Sequence, residues 1–300
     1  MTRAAVLFDV AAGIRLAADA FGDPEAPDVL LLHGGGQTRH AWHATATNLA
    51  DAGWRAITVD LRGHGESTHP RPPRYALEDF AADVRVLTSA IAKDTIVIGA
   101  SLGGIASLLA LTESPVAPAA GLVLVDVAHR FRPRGGGRIV SFMEEHPDGF
   151  ATLSDAADAV AAYLPYRARP RDTQGLRHNL RCNEDGRWVW HWDPEILTQV
   201  RPLIQDQARL SERLATAATR LRQPCLLVRG ADSDVLSAGI AREFTELAPS
   251  ATLTEVPHAG HMVAGDNNDA FTAAIRAWLD TFAPHASSTP INATSHDDLD

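Results

Sequence analysis

Cysteine is scarce. Cys182 and Cys225 are the only two in 300 residues. They are too few for a disulfide framework and do not fall into a metal-ligand spacing. A reducing cytoplasmic setting follows as the expectation. Cys225 sits in the apolar run Cys225-Leu226-Leu227-Val228 and reads as a buried, inert thiol. No apolar run approaches the roughly 20 residues that span a bilayer. Arg3, Asp9 and Arg15 interrupt the first residues, so the basic-then-apolar pattern of a secretion signal is missing. Excess positive charge is also lacking, since the formal net charge is -10. This argues against nucleic acid and against anionic membrane surfaces as partners. A small-molecule substrate is the expected partner, and the oligomeric state is not legible.

The chain does contain short apolar runs at 29–32, 56–59, 96–98, 122–125 and 226–228. They have strand length, and several are continuously apolar, as strands buried on both faces are. Helix-like stretches lie between them. Across 77–91, Leu77, Phe80, Ala81, Val84, Leu87 and Ile91 share one face, and 102–111 is rich in small apolar residues. This alternation predicts an α/β fold with a mostly parallel sheet flanked by helices. The opening segment, 6–19, turns at Gly13 and reads as a β-hairpin.

The alternation breaks between about 131 and 221. There Gly135-Gly136-Gly137, several Arg-Pro pairs and Trp188, Trp190 and Trp192 occur, with candidate helices at 154–163 and 195–214. The expected organisation is a core of 1–130 and 222–283, a mainly helical insertion at 131–221, and a disordered tail at 284–300.

The chemistry centres on Gly99-Ala100-Ser101-Leu102-Gly103-Gly104, a G-x-S-x-G pattern between a strand and a helix. That context is what a nucleophile elbow requires. The sharp turn lifts the Ser hydroxyl to the positive end of the following helix. The glycines let the chain pass close to its neighbours. His33-Gly34-Gly35-Gly36-Gln37 follows the first apolar strand. Backbone N–H groups of Gly35 and Leu102 could together hold an oxyanion.

A rival reading takes the same glycines, with Asp60 ending the next strand, as a dinucleotide-binding turn. It stumbles on Arg39, which stands where the third glycine belongs.

A Ser hydroxyl needs a base, normally a His held by a carboxylate. Val256-Pro257-His258-Ala259-Gly260-His261 supplies two histidines after a probable strand, and His261 is the expected base. The acid belongs between Ser and His in the chain. Asp234 is the expected acid, ahead of Asp232, with Asp126 at the end of the fourth run a further candidate. His40 with His43, and His258 with His261, are spaced by three, but no carboxylate or Cys completes a metal set. No metal and no cofactor are expected. Gly36, Trp188 and Trp190 are candidate pocket residues. The arginines of the insertion (Arg132, Arg134, Arg138, Arg167, Arg169, Arg171) either attract an anion or pair with nearby acids.

These segments, with Asp60-Leu61-Arg62-Gly63-His64-Gly65-Glu66-Ser67, resemble the landmarks of the α/β-hydrolase superfamily in its order, over roughly 6–282. The resemblance implies an α/β-hydrolase fold whose insertion is a cap over the Ser. Asn179 to Asn183 and Gly186 to Trp190 look more narrowly like the cap of capped bacterial esterases. Many members carry the acid at the position of Ser233, one residue before Asp234. Ser101 sets the chain apart from the epoxide hydrolases and haloalkane dehalogenases of this fold, which use Asp there. The implied activity is hydrolysis of an ester, thioester or lactone through an acyl-enzyme. Alternatives on the same scaffold are a carbon-carbon bond hydrolase, a perhydrolase, a cofactor-free oxygenase, a triad-bearing ligand receptor and a non-catalytic scaffold.

Overall fold

A computed structural model describes residues 3–282 apart from 93, 168, 170 and 171. The expected tail at 284–300, like Arg171, lies outside the described residues. The chain opens with a hairpin of β1 (Arg3–Ala11) and β2 (Ile14–Phe21), turned by Gly13 at φ 73°. It continues through β3 (Asp28–Leu32), α1 (His43–Asp51), β4 (Arg55–Val59), α2 (Leu77–Ile91), β5 (Ile96–Ala100), α3 (Leu102–Thr112) and β6 (Gly121–Val125). The insertion carries α4 (Pro133–Glu144), α5 (Leu153–Tyr163), β7 (Leu180–Cys182), β8 (Trp188–Trp190) and α6 (Glu195–Gln205). Next come α7 (Gln207–Arg220), β9 (Cys225–Gly230), α8 (Ala238–Leu247), β10 (Ala251–Val256), α9 (Val263–Asp266) and α10 (Asn268–Leu279).

Eight strands form one sheet in the order β1-β2-β4-β3-β5-β6-β9-β10. β2 pairs antiparallel with β1 and β4, and the remaining pairings are parallel. The continuous apolar runs have a simple cause. Along β3, Leu30 and Leu32 enter one core cluster and Val29 and Leu31 the other, so both faces are covered. One face packs beneath α2, α3 and α7, the other beneath α1 and α10. α3 is wedged between α2 and α7 and against the sheet, which explains why almost its whole surface is apolar.

Strand order also decides where a site can form. From β3 the chain crosses to β4 on one side, and from β5 it crosses to β6 on the other. The loops after β3 and β5 therefore part at the sheet's carboxyl edge and leave a crevice between them. The glycine loop 33–36 and Ser101 both lie there.

The insertion differs in two respects from the sequence reading of a mainly helical 131–221. β7 and β8 form an antiparallel hairpin, with Phe150 bridging to Trp188. Its alternating tryptophans are the trace of this strand. The expected helix 195–214 is two helices, because Asp206 stops α6 and its side chain accepts the Arg209 N–H at the start of α7. α7 packs on α3 and α8, so it belongs with the core layer, while α4 to α6 and the hairpin cover the crevice. Among the described residues no helix is long and apolar enough to cross a membrane.

Candidate active site

Ser101 ends β5 and begins α3 with φ 46° and ψ −112°, a left-handed conformation for a residue with a side chain. Such a residue costs about 1–3 kcal/mol and persists only where its surroundings fix it. Here Ser101 N–H donates to the Val125 carbonyl at 3.3 Å, and Gly103 N–H donates to the His33 carbonyl at 3.2 Å. The flanking glycines are a matter of space. A Cβ on Gly99 would stand 2.6 Å from the Gly103 oxygen, and one on Gly103 2.6 Å from the Leu32 oxygen. Gly34 passes so close that a Cβ there would lie 3.2 Å from that of Ser101.

Two buried histidines build the loop beside Ser101. His33 Nε2 accepts the Leu61 N–H at 3.0 Å, and its Nδ1–H points at the Gly34 carbonyl, 2.8 Å away. His64 Nε2 accepts the Gly36 N–H at 3.1 Å, and its Nδ1 faces the Arg62 carbonyl at 3.0 Å. Burial lowers both pKa values, to about 4 for His33 and about 3 for His64, so both rings are neutral and can accept from the backbone. Gly34 N–H is taken by the Gln37 side chain at 3.0 Å. Gly35 and Leu102 N–H groups have no protein acceptor among the described residues, and the two residues face each other beside Ser101. They are the donors available to an oxyanion.

His64 and the motif around it thus hold the loop from below. Asp60, the acid of the rival dinucleotide reading, is wholly buried and accepts from Arg39, both at its backbone N–H (2.6 Å) and through its guanidinium. Arg39 also meets Asp19 at 2.8 Å and Glu66 at 2.5 Å. The Arg that broke the glycine pattern and the Asp that completed the rival reading neutralise each other inside the fold.

His261 lines the crevice beside Ser101. His258, its competitor, is exposed and stands at φ 53°. The acid is where the structure departs from expectation. His261 Nδ1 donates to Asp126 Oδ2 at 2.8 Å. Asp234 does not reach it: it is 42% exposed and pairs with Arg138 at 3.0 Å. Asp232 is exposed as well. The reason lies in the turn after β9. Ser233 points inward and is buried, so the residues on either side of it point out.

Ser233 Oγ accepts the Val235 and Leu236 N–H groups at 3.1 and 3.0 Å and donates to Asp126 Oδ2 at 2.5 Å. Asp126 Oδ1 accepts the Gly230 N–H at 3.0 Å. Asp126 is itself left-handed, with φ 50°, where β6 ends and the chain departs for the insertion. With Nδ1 donating to this carboxylate, the Nε2 of His261 keeps its lone pair and can take a proton.

Over these groups lies a cavity of about 380 Å³. Phe142 stacks on Tyr163 with ring centres 4.2 Å apart, and Trp190 on Trp192 at 4.7 Å, to form its cap-side wall. Gly36 and Trp190 line it. Trp188 does not: it lies under Arg177, 4.7 Å from ring centre to guanidinium, and Trp192 takes its place. Three of the insertion's arginines are paired, Arg138 with Asp234, Arg169 with Asp158 and Arg167 with the buried Asp266, whose other oxygen accepts the Gly260 N–H at 2.8 Å. Among the described residues no three His, Cys, Asp or Glu side chains gather as metal ligands. Cys225 is buried in β9, which raises its thiol pKa.

A serine elbow, a His–Asp pair and free N–H donors at the carboxyl edge of such a sheet define a hydrolase of the α/β type. The chain belongs to the alpha/beta hydrolase family, which it matches over residues 29–274. It is similar to esterase Rv0045c of Mycobacterium tuberculosis, 30% identical over 272 residues that cover 85% of this chain and 84% of that one. The 2-(acetamidomethylene)succinate hydrolase of Mesorhizobium japonicum is 28% identical, over 85% of this chain and 88% of its own. Among solved structures, an alpha/beta hydrolase from Novosphingobium aromaticivorans superposes with a TM-score of 0.74 at 27% identity, covering 93% of this chain and 98% of that one.

Proposed function

We propose that the protein is a serine hydrolase that cleaves a small-molecule carboxylic ester or thioester, with Ser101 as nucleophile, His261 as base and Asp126 as the acid. The observation that carries this reading is the 2.8 Å contact of His261 Nδ1 with a fully buried carboxylate, beside a strained Ser at a helix N-terminus. Ser101 Oγ attacks the carbonyl carbon while His261 Nε2 takes its proton. The carbonyl oxygen gains charge and is held by Gly35 and Leu102 N–H groups. The bond to the leaving group breaks as His261 returns the proton to it. Water then attacks the acyl-enzyme, giving its proton to His261, and the acid leaves as Ser101 regains a proton. These steps use the chain's own groups alone. The apolar, aromatic walls of the cavity suit a substrate taken from dilute solution by burial of its carbon skeleton. The similarity to a bacterial esterase points the same way.

The test is labelling with a fluorophosphonate, located by mass spectrometry, together with turnover of short para-nitrophenyl esters. Label on Ser101, and loss of both label and turnover in Ser101→Ala with an unchanged fold, is the expected result. Folded wild-type protein that neither labels nor turns over any ester would refute the reading.

A further inference from the structure

The space over Ser101 is divided. A second chamber of about 110 Å³ adjoins the one of about 380 Å³, and Ser101, His261, Gly35, Ile139 and Met143 line both. The two differ in everything else. The smaller chamber is walled by Leu102 and Ile105 of α3, Val127 after β6, and Ile196, Val200 and Leu203 of α6. Apart from Ser101, Asp126 and His261, no polar side chain among the described residues lines it. A hydrocarbon group gains by moving there from water, whereas a polar one would surrender its hydrogen bonds with nothing to replace them. The larger chamber adds Gln37, Tyr163, Arg167 and Asn179 to its aromatic wall and can meet both kinds of group.

Met143 stands where the two chambers meet, since it lines both. Met143 comes down from α4 onto the oxyanion loop. Its Sδ and Cε lie 3.5 and 3.4 Å from where a Cβ on Gly36 would stand, and it is 9% exposed.

We infer that the substrate is asymmetric about the scissile bond. One side carries a plain hydrocarbon group of up to about four carbons, held in the smaller chamber. The other carries a group of about a dozen heavy atoms with ring or polar functions, held in the larger. Both sizes follow from roughly 30 Å³ per water-sized group. Met143 sets the boundary between them. This inference rests on the acyl-transfer reading above and deepens it.

The test uses the full chain and two ester series. In one, the acyl group grows from acetyl to decanoyl on a fixed 2-phenylethyl alcohol. In the other, the alcohol grows from methyl to decyl on a fixed 3-phenylpropanoyl group. One series, and only one, should lose kcat/KM by about tenfold or more between four and six carbons, as further methylenes overfill the small chamber. Val200→Phe should move that break to shorter chains and leave the shape of the other series as it was, whereas Met143→Ala, which opens the boundary, should move the break to longer chains.

The inference is overturned if both series tolerate eight carbons alike, or if both fail at the same length. The wild-type profiles decide this even if a variant fails to fold. A small ethyl fluorophosphonate run in parallel separates the two readings. If Ser101 labels, an adverse profile counts against the chambers alone. If folded protein does not label, the acyl-transfer reading fails and the inference falls with it.

Discussion

Replacing Asp126 by Asn isolates the role of the acid with little change of shape. In the native site Asp126 Oδ1 accepts the Gly230 N–H at 3.0 Å, and Oδ2 accepts from both Ser233 Oγ, at 2.5 Å, and His261 Nδ1, at 2.8 Å. An Asn can keep the first contact. Its amide NH2 must then occupy the place of Oδ2, where it donates to His261 Nδ1 and drives the ring proton onto Nε2. The base then has no lone pair to offer Ser101, and the imidazolium formed in the transition state loses its buried counter-charge. The same change in a serine protease triad costs about 10⁴ in kcat. A loss of about 10³–10⁴ is expected here, or ~4–5.5 kcal/mol of transition-state stabilisation. Asp234→Asn removes only a half-exposed pair with Arg138 and should stay within about twofold of wild type. Steady-state hydrolysis of a short para-nitrophenyl ester, with the rate of fluorophosphonate labelling beside it, measures both variants. A collapse in Asp234→Asn with near-normal Asp126→Asn would refute the assignment of the acid.

Three further outcomes follow from the same contacts. His33 and His64 are buried neutral with pKa values lowered to about 4 and about 3, so below pH 6.5 the unfolded chain binds protons that the folded one refuses. Stability should therefore be full above about pH 6.5 and fall as pH drops toward 4, by up to ~1.4 kcal/mol per pH unit for each ring; urea melts of wild type and His64→Gln should show the shallower slope in the variant. Gly99→Ala puts a methyl 2.6 Å from the Gly103 oxygen and Gly104 nitrogen, and should cost about 1–3 kcal/mol or more and displace Ser101, read as a lower Tm with slower labelling. Asp193, buried after the cap hairpin, accepts from Tyr75 Oη at 2.7 Å and Arg71 at 2.5 Å, and Asp193→Ala leaves the buried Tyr75 hydroxyl unpaired; a loss of about 1–3 kcal/mol and faster proteolysis between 131 and 206 are expected, and an unchanged cleavage rate would show that this clamp does not hold the cap.

The sequence makes some parts of this molecule legible and hides others for physical reasons. The sheet is readable because each core strand is buried on both faces and so is apolar without interruption. α2 is found residue for residue because its buried stripe keeps helical spacing. Ser101 and His261 stand out because a sharp turn and a close backbone approach force glycine around them. The cap is harder. Its hairpin is three residues per strand, and Trp188, Trp190 and Trp192 differ in role although they share a spacing, since only the last two face the cavity. Asp126 is hidden for another reason. Spacing along the chain cannot show which of several strand ends faces the histidine, and an Asp closing a strand is as often an anchor as an acid. The usable sign is Ser233, a non-ionisable residue at the position where the resemblance to the superfamily implies a carboxylate.

The contact of Ser233 with Asp126 suggests a second place from which a carboxylate could reach His261. β6 and β9 are neighbours in the sheet, and the turn after β9 puts Ser233 Oγ on the same Asp126 oxygen that meets the imidazole. What His261 requires is a carboxylate oxygen at Nδ1, whichever turn supplies it. Ser233 Oγ already sits 2.5 Å from that oxygen and is fixed by two backbone N–H groups. The change Asp126→Ser with Ser233→Asp should therefore return the carboxylate to the ring from the other turn. Those two N–H groups would then stabilise the new charge as they now hold the hydroxyl. Asp126→Ser alone should fall by about 10³ or more in kcat, for the reason given for Asn. The double variant should recover about tenfold or more of that loss, a difference of ~1.4 kcal/mol. Full recovery is not expected, because Asp126 also ties down the Gly230 N–H and its removal loosens the turn after β9. The decisive comparison is kcat for the double variant against Asp126→Ser, with the pH-rate profile of each. Recovery of kcat means that the two turns are interchangeable supports for one histidine. No recovery in a folded double variant means that the approach from β6 is itself required and that the turn after β9 cannot replace it.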